Sequence, residues 1–187
     1  MTKTLIIVAH PSLETSVTNK RWVEELQKYP EKYTVHELHK VYPDGNIDVE
    51  KEQTLVESHG NLVFQFPIYW FNCPPLLKKW FDEVLSYGWA YGSAGDKLKN
   101  RKVALGVSAG IKKENYSEHG RYRYTLEQML VSFETTFLYC KANYRSIFAV
   151  YGNEDKAGEN VPGSENEKSD NQVIKSVQNY LHFIDNM

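Results

Sequence analysis

Residues 61–85 read NLVFQFPIYWFNCPPLLKKWFDEVL. Asn61 to Phe66 is nearly continuous in apolar residues, the pattern of a strand buried on both faces. Pro75 to Leu85 places Leu76, Leu77, Trp80 and Val84 on one helical face, and Pro74-Pro75 suits a helix start, where a missing N–H costs nothing. The segment between them follows neither period. It puts Tyr69, Trp70 and Phe71 where a polar turn normally serves. Core packing accounts for Trp80 and Phe81. Pro67 is expected to turn the chain, and Trp70 and Phe71 to face solvent or a flat apolar ligand, because such loops lie outside the core.

The same strand-to-helix step recurs along the chain. Lys3 to Ala9 (KTLIIVA), Lys102 to Ala109 (KVALGVSA) and Ser146 to Tyr151 (SIFAVY) are further buried strands, and Tyr33 to Leu38 (YTVHEL) alternates as an edge strand does. Helical patterns cover Val17 to Lys28, Val49 to Ser58, Thr125 to Leu138 and the region from about Asp170, where Val173, Ile174, Val177, Tyr180, Leu181 and Ile184 share a face. Gly152 to Ser169 reads as a solvated loop. Five strands alternating with five helices predict an α/β fold, a doubly wound five-stranded parallel sheet with helices on both faces.

The 187 residues suit one domain, 1–187, with a sizeable core. A net charge of −2 with no basic stripe argues against nucleic acid as a partner. The longest apolar N-terminal run, Leu5 to Ala9, is too short for a membrane span and lacks the flanks of a secretory signal, so a cytoplasmic protein is expected. Cys73 and Cys140 form neither a CxxC pair nor a disulfide framework and read as plain thiols. His36 and His39 lie on opposite faces of the expected edge strand and read as solvated histidines; no metal site is expected.

In such a sheet, ligands bind at the carboxyl ends of the strands near the reversal of strand order. That directs attention to the segments after Ala9, Phe66 and Ala109. His10, Ser12, Thr15, Ser16, Thr18 and Asn19 crowd polar groups around a helix start that favours an anion; a plain helix cap is the competing reading. Neither GxGxxG nor GxxxxGK[ST] is present, so a phosphate here is held by a non-glycine loop. Gly106-Val107-Ser108-Ala109-Gly110 matches GxSxG, the serine nucleophile elbow, but that motif needs an immediate helix and a well-placed histidine, and a long polar loop follows. The other reading of Ser108, Ala109 and Gly110 is a small-residue turn that lets the backbone approach a flat ligand.

LIIVAHP at Leu5 to Pro11, Ser16 with Asn19, Phe64 to Leu85, GWAYG at Gly88 to Gly92, and Tyr116 with Gly120 form an ordered set. With that set, nearly the whole chain resembles the flavodoxin-like NAD(P)H:quinone oxidoreductases, which include general-stress oxidoreductases and ancillary subunits of glutathione-gated potassium-efflux systems. The resemblance implies FMN as cofactor, with FAD the alternative, NAD(P)H as substrate, and a quinone-like planar acceptor. It implies that His10, Ser16, Val17 and Asn19 surround the ribityl chain and phosphate. Pro67, Ile68, Tyr69, Trp70 and Phe71 then contact the isoalloxazine edge, and Ser108, Ala109, Gly110 and Tyr116 close the other side. Tyr116 matches a tyrosine that stabilises charge on the reduced flavin, and His119 and Tyr122 compete as its second donor. The chain departs from the family where Ser108-Ala109-Gly110-Ile111 stands for Thr-Thr-Gly-Gly and Tyr122 for a histidine.

One open face serving two substrates predicts ping-pong transfer, with the protein supplying position and electrostatics. The family's pocket lies at a twofold interface, so the resemblance implies a homodimer, with Trp89 and Tyr91 lining the wall or a partner's copy of it. A regulatory partner of a potassium-efflux transporter is the second reading. An electron-carrying flavodoxin shares the fold but not His10-Pro11 or the near-neutral charge.

Overall fold

The computed structural model describes residues 3–154 and 166–187, with side chains over 3–152 and 174–187. Five strands form one parallel sheet: β1 Thr4–Val8, β2 Tyr33–Glu37, β3 Asn61–Pro67, β4 Lys102–Ile111 and β5 Asn143–Glu154, in the order β2-β1-β3-β4-β5. This is the expected doubly wound sheet, with its switch point between β1 and β3. The helices are α1 Val17–Leu26, α2 Leu38–Val41, α3 Val49–Glu57, α4 Pro75–Val84, α5 Leu126–Met129, α6 Val131–Tyr139 and α7 Asn166–Asp185.

Strand alternation gives each face its own core. Leu5, Ile7, Phe64, Phe66, Leu105 and Val107 pack with Val56 of α3, Leu77 and Trp80 of α4, and Phe133 and Phe137 of α6. Ile6, Val8, Val63 and Ala104 pack on the opposite face with Trp22, Val23 and Leu26 of α1 and with Val177, Tyr180 and Ile184 of α7. Phe64 sits among Trp80, Phe81 and Phe137 at centroid distances of 5.3, 4.9 and 5.3 Å. Truncating such a residue to alanine costs about 3–5 kcal/mol.

Several elements differ from expectation. The helix expected over Thr125 to Leu138 breaks at Leu130, whose φ and ψ are −97° and 12°, and no glycine or proline marks the break. α7 begins at Asn166, ahead of Asp170, and β5 runs through Gly152 to Glu154, so both intrude on the expected loop; residues 155–165 of that loop lie outside the described residues. β2 stops at Glu37, and fully buried Leu38 opens α2 instead.

That last difference corrects the solvated-histidine reading. His39 sits on α2, half-buried, and the His36 ring is buried against α3, which caps the edge strand with fully buried Glu52. Glu52 meets His36 Nε2 and accepts from Tyr42 Oη and Trp80 Nε1, each at 2.7 Å. Burial pushes its carboxyl upward, and the three hydrogen bonds outweigh that and hold it below the usual carboxylate range. Cys73 and Cys140 are buried free thiols, and burial pushes Cys73 up to about 11.

Candidate functional site

Pro67 does not turn the chain. It is the last residue of β3, paired with Ser108, while Ile68 N–H still donates to Ser108 C=O at 2.8 Å. Gln65 C=O faces β1, accepting from Ala9 N–H at 2.8 Å, so the N–H that Pro67 lacks would point the same way, past the end of β1. The reversal comes at Tyr69–Asn72, whose two backbone hydrogen bonds, 2.9 and 3.0 Å, close a two-residue hairpin. Its central residues, Trp70 and Phe71, have φ of +50° and +60°. Two consecutive left-handed residues make a type I′ turn, normally the place of Asn-Gly, and each bulky side chain held there costs about 1–2 kcal/mol. The result is Trp70 at the tip, 94% exposed, with Phe71 edge-on to Tyr122 at 4.9 Å.

The wall facing the hairpin comes from the loop after β4. A single 3₁₀ turn at Lys113–Asn115 leads to Tyr116, and Tyr122 N–H returns to Asn115 C=O at 3.1 Å. Gly120 lets the loop close, since a Cβ there would meet Glu114 O at 2.3 Å. Tyr116 is buried between Tyr122 and Tyr151, at 5.1 and 5.5 Å. Burial, with Tyr122 adding to it, pushes the Tyr116 phenol up, so it keeps its proton and donates at neutral pH.

Hairpin and loop enclose an open cavity of about 550 Å³ lined by Pro67, Ile68, Tyr69, Trp70, Phe71, Ser108, Gly110, Ile111, Tyr116 and Tyr122. Ala109 points to the opposite face, into the core, and His119 stands exposed on the loop, outside the lining. Ile111 is a lining residue the sequence reading missed, because β4 continues two residues beyond its expected end. Trp89 and Tyr91 do not line this cavity within the chain. Trp89 is buried with its indole N–H on Glu57 Oε1 at 2.7 Å, and Tyr91 packs between Tyr87 and Tyr139.

The first loop lies beside this cavity. Ser16 caps α1, its Oγ accepting from Asn19 N–H at 3.1 Å, and the Val17 and Thr18 amides have no intrahelical acceptor. Ser12 N–H donates to His10 Nδ1 at 3.1 Å. A backbone N–H only donates, so the neutral ring carries its proton on Nε2. Burial first, then the charge of nearby His39, lowers the His10 pKa and keeps the ring neutral. Asn19 joins the two halves, its Nδ2 donating to Ser108 Oγ at 2.8 Å.

That bond and the strand around it correct two readings of the GxSxG stretch. Ser108, Ala109 and Gly110 belong to β4 and form no turn, and Ser108 stands inside a strand, not at a strand-to-helix elbow, hydrogen-bonded to an amide. The small residues serve packing: a Cβ at Gly106 would lie 2.5 Å from Tyr180 Oη, while Gly110 opens on the cavity.

A family model described as the flavodoxin-like fold matches residues 2–172. The chain belongs to that family. The Bacillus subtilis protein named uncharacterised NAD(P)H oxidoreductase YrkL is 44% identical over 162 residues, 87% of this chain and 92% of that protein. The ancillary protein KefG of the glutathione-regulated potassium-efflux system of Cronobacter sakazakii is 38% identical over 149 residues, 80% of each. General stress protein 14 of Treponema denticola, solved in complex with FMN, is 46% identical and superposes with a TM-score of 0.89 over 98% of both chains.

Proposed function

We propose that this protein is an FMN-dependent NAD(P)H oxidoreductase that reduces quinones or similar planar acceptors by two-electron, ping-pong transfer. The observation that carries the reading is the join between two unlike sites. An aromatic-walled cavity with room for a flat ring meets, at Asn19 and Ser108, a helix N-terminus able to receive an anion. The chemistry of the residues fits FMN: the Val17 and Thr18 amides, the hydroxyls of the first loop and His10 Nε2–H suit one phosphate, and the single cradle favours FMN over FAD. The FMN complex of the Treponema denticola protein and the name of the Bacillus subtilis relative support the same assignment.

Bound there, FMN would supply two-electron hydride chemistry between NAD(P)H and a planar acceptor. The chain supplies the setting. Tyr116, lining the cavity with Tyr122 beside it, would offer a protonated phenol to negative charge on the ligand, and such a donor is most effective in a partly dry site. The Phe71–Tyr122 contact closes one flank against water, and the hairpin leaves one face open for two substrates in turn.

The exposed aromatic residues Trp70, Tyr87, Tyr124 and Tyr139 support a homodimer whose second copy covers part of this surface. Among the described residues no helix is long and apolar enough to cross a membrane, in keeping with a cytoplasmic site of action. KefG kinship favours a second, compatible reading as the ancillary subunit of a potassium-efflux transporter; co-purification with such a transporter tests it. The main reading is tested by one absorbance spectrum. Oxidised-flavin bands that bleach with NAD(P)H under nitrogen are expected, and a colourless protein that also fails to bind added FMN overturns it.

A further inference from the structure

Four side chains form a polar line through the α1/α7 core. Tyr180 Oη lies 3.2 Å from Gln65 Oε1; Gln65 Nε2 lies 3.1 Å from Asn19 O and 3.3 Å from Asn19 Oδ1; Asn19 Nδ2 lies 2.8 Å from Ser108 Oγ. Gln65, Asn19 and Tyr180 are at most 1% exposed, and only Ser108 reaches the cavity. On this face Ile6, Val8, Val63 and Ala104 around it are apolar, so a fully buried amide at 65 is conspicuous.

The sense of every hydrogen bond in the line follows from one group. The Asn19 backbone carbonyl can only accept, so Gln65 must present its NH₂ there, which turns Oε1 toward Tyr180. Tyr180 therefore donates, and burial, by pushing its phenol far up, keeps the proton in place. Asn19 Oδ1 accepts from the same Gln65 NH₂, which turns the Asn19 NH₂ onto Ser108 Oγ. With that lone pair taken, the Ser108 O–H is directed outward. Gly106 belongs to the same device, because any Cβ there would meet Tyr180 Oη at 2.5 Å and displace the first donor.

We infer that Gln65, oriented by the Asn19 carbonyl, is a positioning residue that fixes Ser108 as a hydrogen-bond donor to an acceptor atom of the bound ligand. The inference rests on the flavin reading above, which makes FMN the ligand. Without the Gln65 amide nothing holds Asn19 Oδ1 inward; the Asn19 amide can invert, and Ser108 then donates inward to Asn19 instead of outward to the ligand. Loss of the Tyr180 hydroxyl alone leaves the Asn19 carbonyl to orient Gln65, so the sense of the line survives it.

FMN titrated into apoprotein, followed by flavin fluorescence, tests this through a double-mutant cycle. In the wild-type background Ser108→Ala is expected to weaken FMN binding about 3- to 10-fold, the worth of one hydrogen bond. In the Gln65→Met background the same change should cost less than about 1.5-fold, because the donor is already lost. Ile184→Val, an apolar change on the same helix and in the same core, should leave the Ser108→Ala loss whole, which separates positioning from loosened packing. Tyr180→Phe, which leaves the Asn19 carbonyl to orient Gln65, should likewise leave the Ser108→Ala loss whole, and Gln65→Leu should reproduce the coupling if Gln65→Met does not fold. Additive losses in the Gln65 cycle, or a Ser108→Ala variant that binds FMN like wild type, overturn the inference while leaving the flavin reading intact. A wild-type protein that binds no FMN overturns that reading and, with it, the ligand named here.

Discussion

The hairpin at Tyr69–Asn72 holds strain that one substitution should release. Trp70 and Phe71 at φ of +50° and +60° cost about 1–2 kcal/mol each, so the turn stores about 2–4 kcal/mol. Trp70→Asn places at the tip a residue that visits the left-handed region readily. Because Trp70 is 94% exposed, almost no burial is lost, and a net gain of about 1 kcal/mol is expected. For a chain of 187 residues that is a rise in Tm of about 2–4 °C. Phe71→Gly makes the internal control. Its strain relief of about 1–2 kcal/mol is offset by about 0.5–1 for glycine's freedom in the unfolded chain and about 0.5–1.5 for the lost Tyr122 contact. That variant should melt close to wild type. Both should lose function, with the KM for a quinone acceptor rising about 2- to 10-fold as a flat contact disappears. Thermal melts of the apoprotein and steady-state acceptor kinetics read both halves. A Trp70→Asn protein that melts at or below the wild-type temperature would refute the strain argument, and one with unchanged acceptor kinetics would refute the role given to the tip.

Tyr116→Phe keeps the ring and deletes the donor, so FMN affinity should hold while flavin bleaching by NAD(P)H in stopped flow slows about tenfold, near the low end for a hydrogen bond to a charged group; an unchanged rate removes Tyr116 from the mechanism. Acid should destabilise the apoprotein through His10 and His39, whose pKa values burial lowers from 6.5. A group favoured neutral contributes stability that is complete above its unfolded pKa and is lost as pH falls from there through its folded pKa, so urea midpoints should drop as pH falls below 6.5. Protonating His39 charges a ring whose buried Nδ1 lacks a partner, and His39→Leu should flatten that slope. Light scattering should give a dimer, and a fully active monomer would contradict the role proposed for the exposed aromatic surface.

The fold was legible because burial on both faces of a parallel strand leaves a plain signature, carried by Leu5 to Val8 in β1 and, with Gln65 as its one break, by Leu62 to Phe66 in β3. The edge was less so. His36 alternates like a solvent-facing edge residue, and only the position of Glu52, sixteen residues on in another element, makes it a buried partner. The aromatic segment was legible as composition, since three aromatic residues with no period must serve something other than a strand or helix. Its geometry was not: Trp-Phe is about the last pair that turn chemistry assigns to left-handed positions, so local preference pointed Pro67 toward the turn that tertiary structure places at Trp70 and Phe71.

The GxSxG stretch separates what a pattern holds from what a site needs. Small residues at 106, 108 and 110 match a nucleophile elbow, yet each answers a different neighbour: Gly106 admits the Tyr180 hydroxyl, Ser108 receives the Asn19 amide, and Gly110 opens on the cavity. One signal was present all along, the glutamine inside NLVFQF. A glutamine inside a strand buried on both faces must find partners, because an unsatisfied buried amide costs about 1–3 kcal/mol. Asking where those partners lie leads to Asn19 in the first loop and Tyr180 in the last helix, and so to the reason that residues far apart in the chain meet beside one hydroxyl. Spacing along a strand names which residues share a face. The direction of each hydrogen bond on that face is set by groups that can only accept or only donate, here one backbone carbonyl, and it decides whether Ser108 offers the ligand a proton or a lone pair.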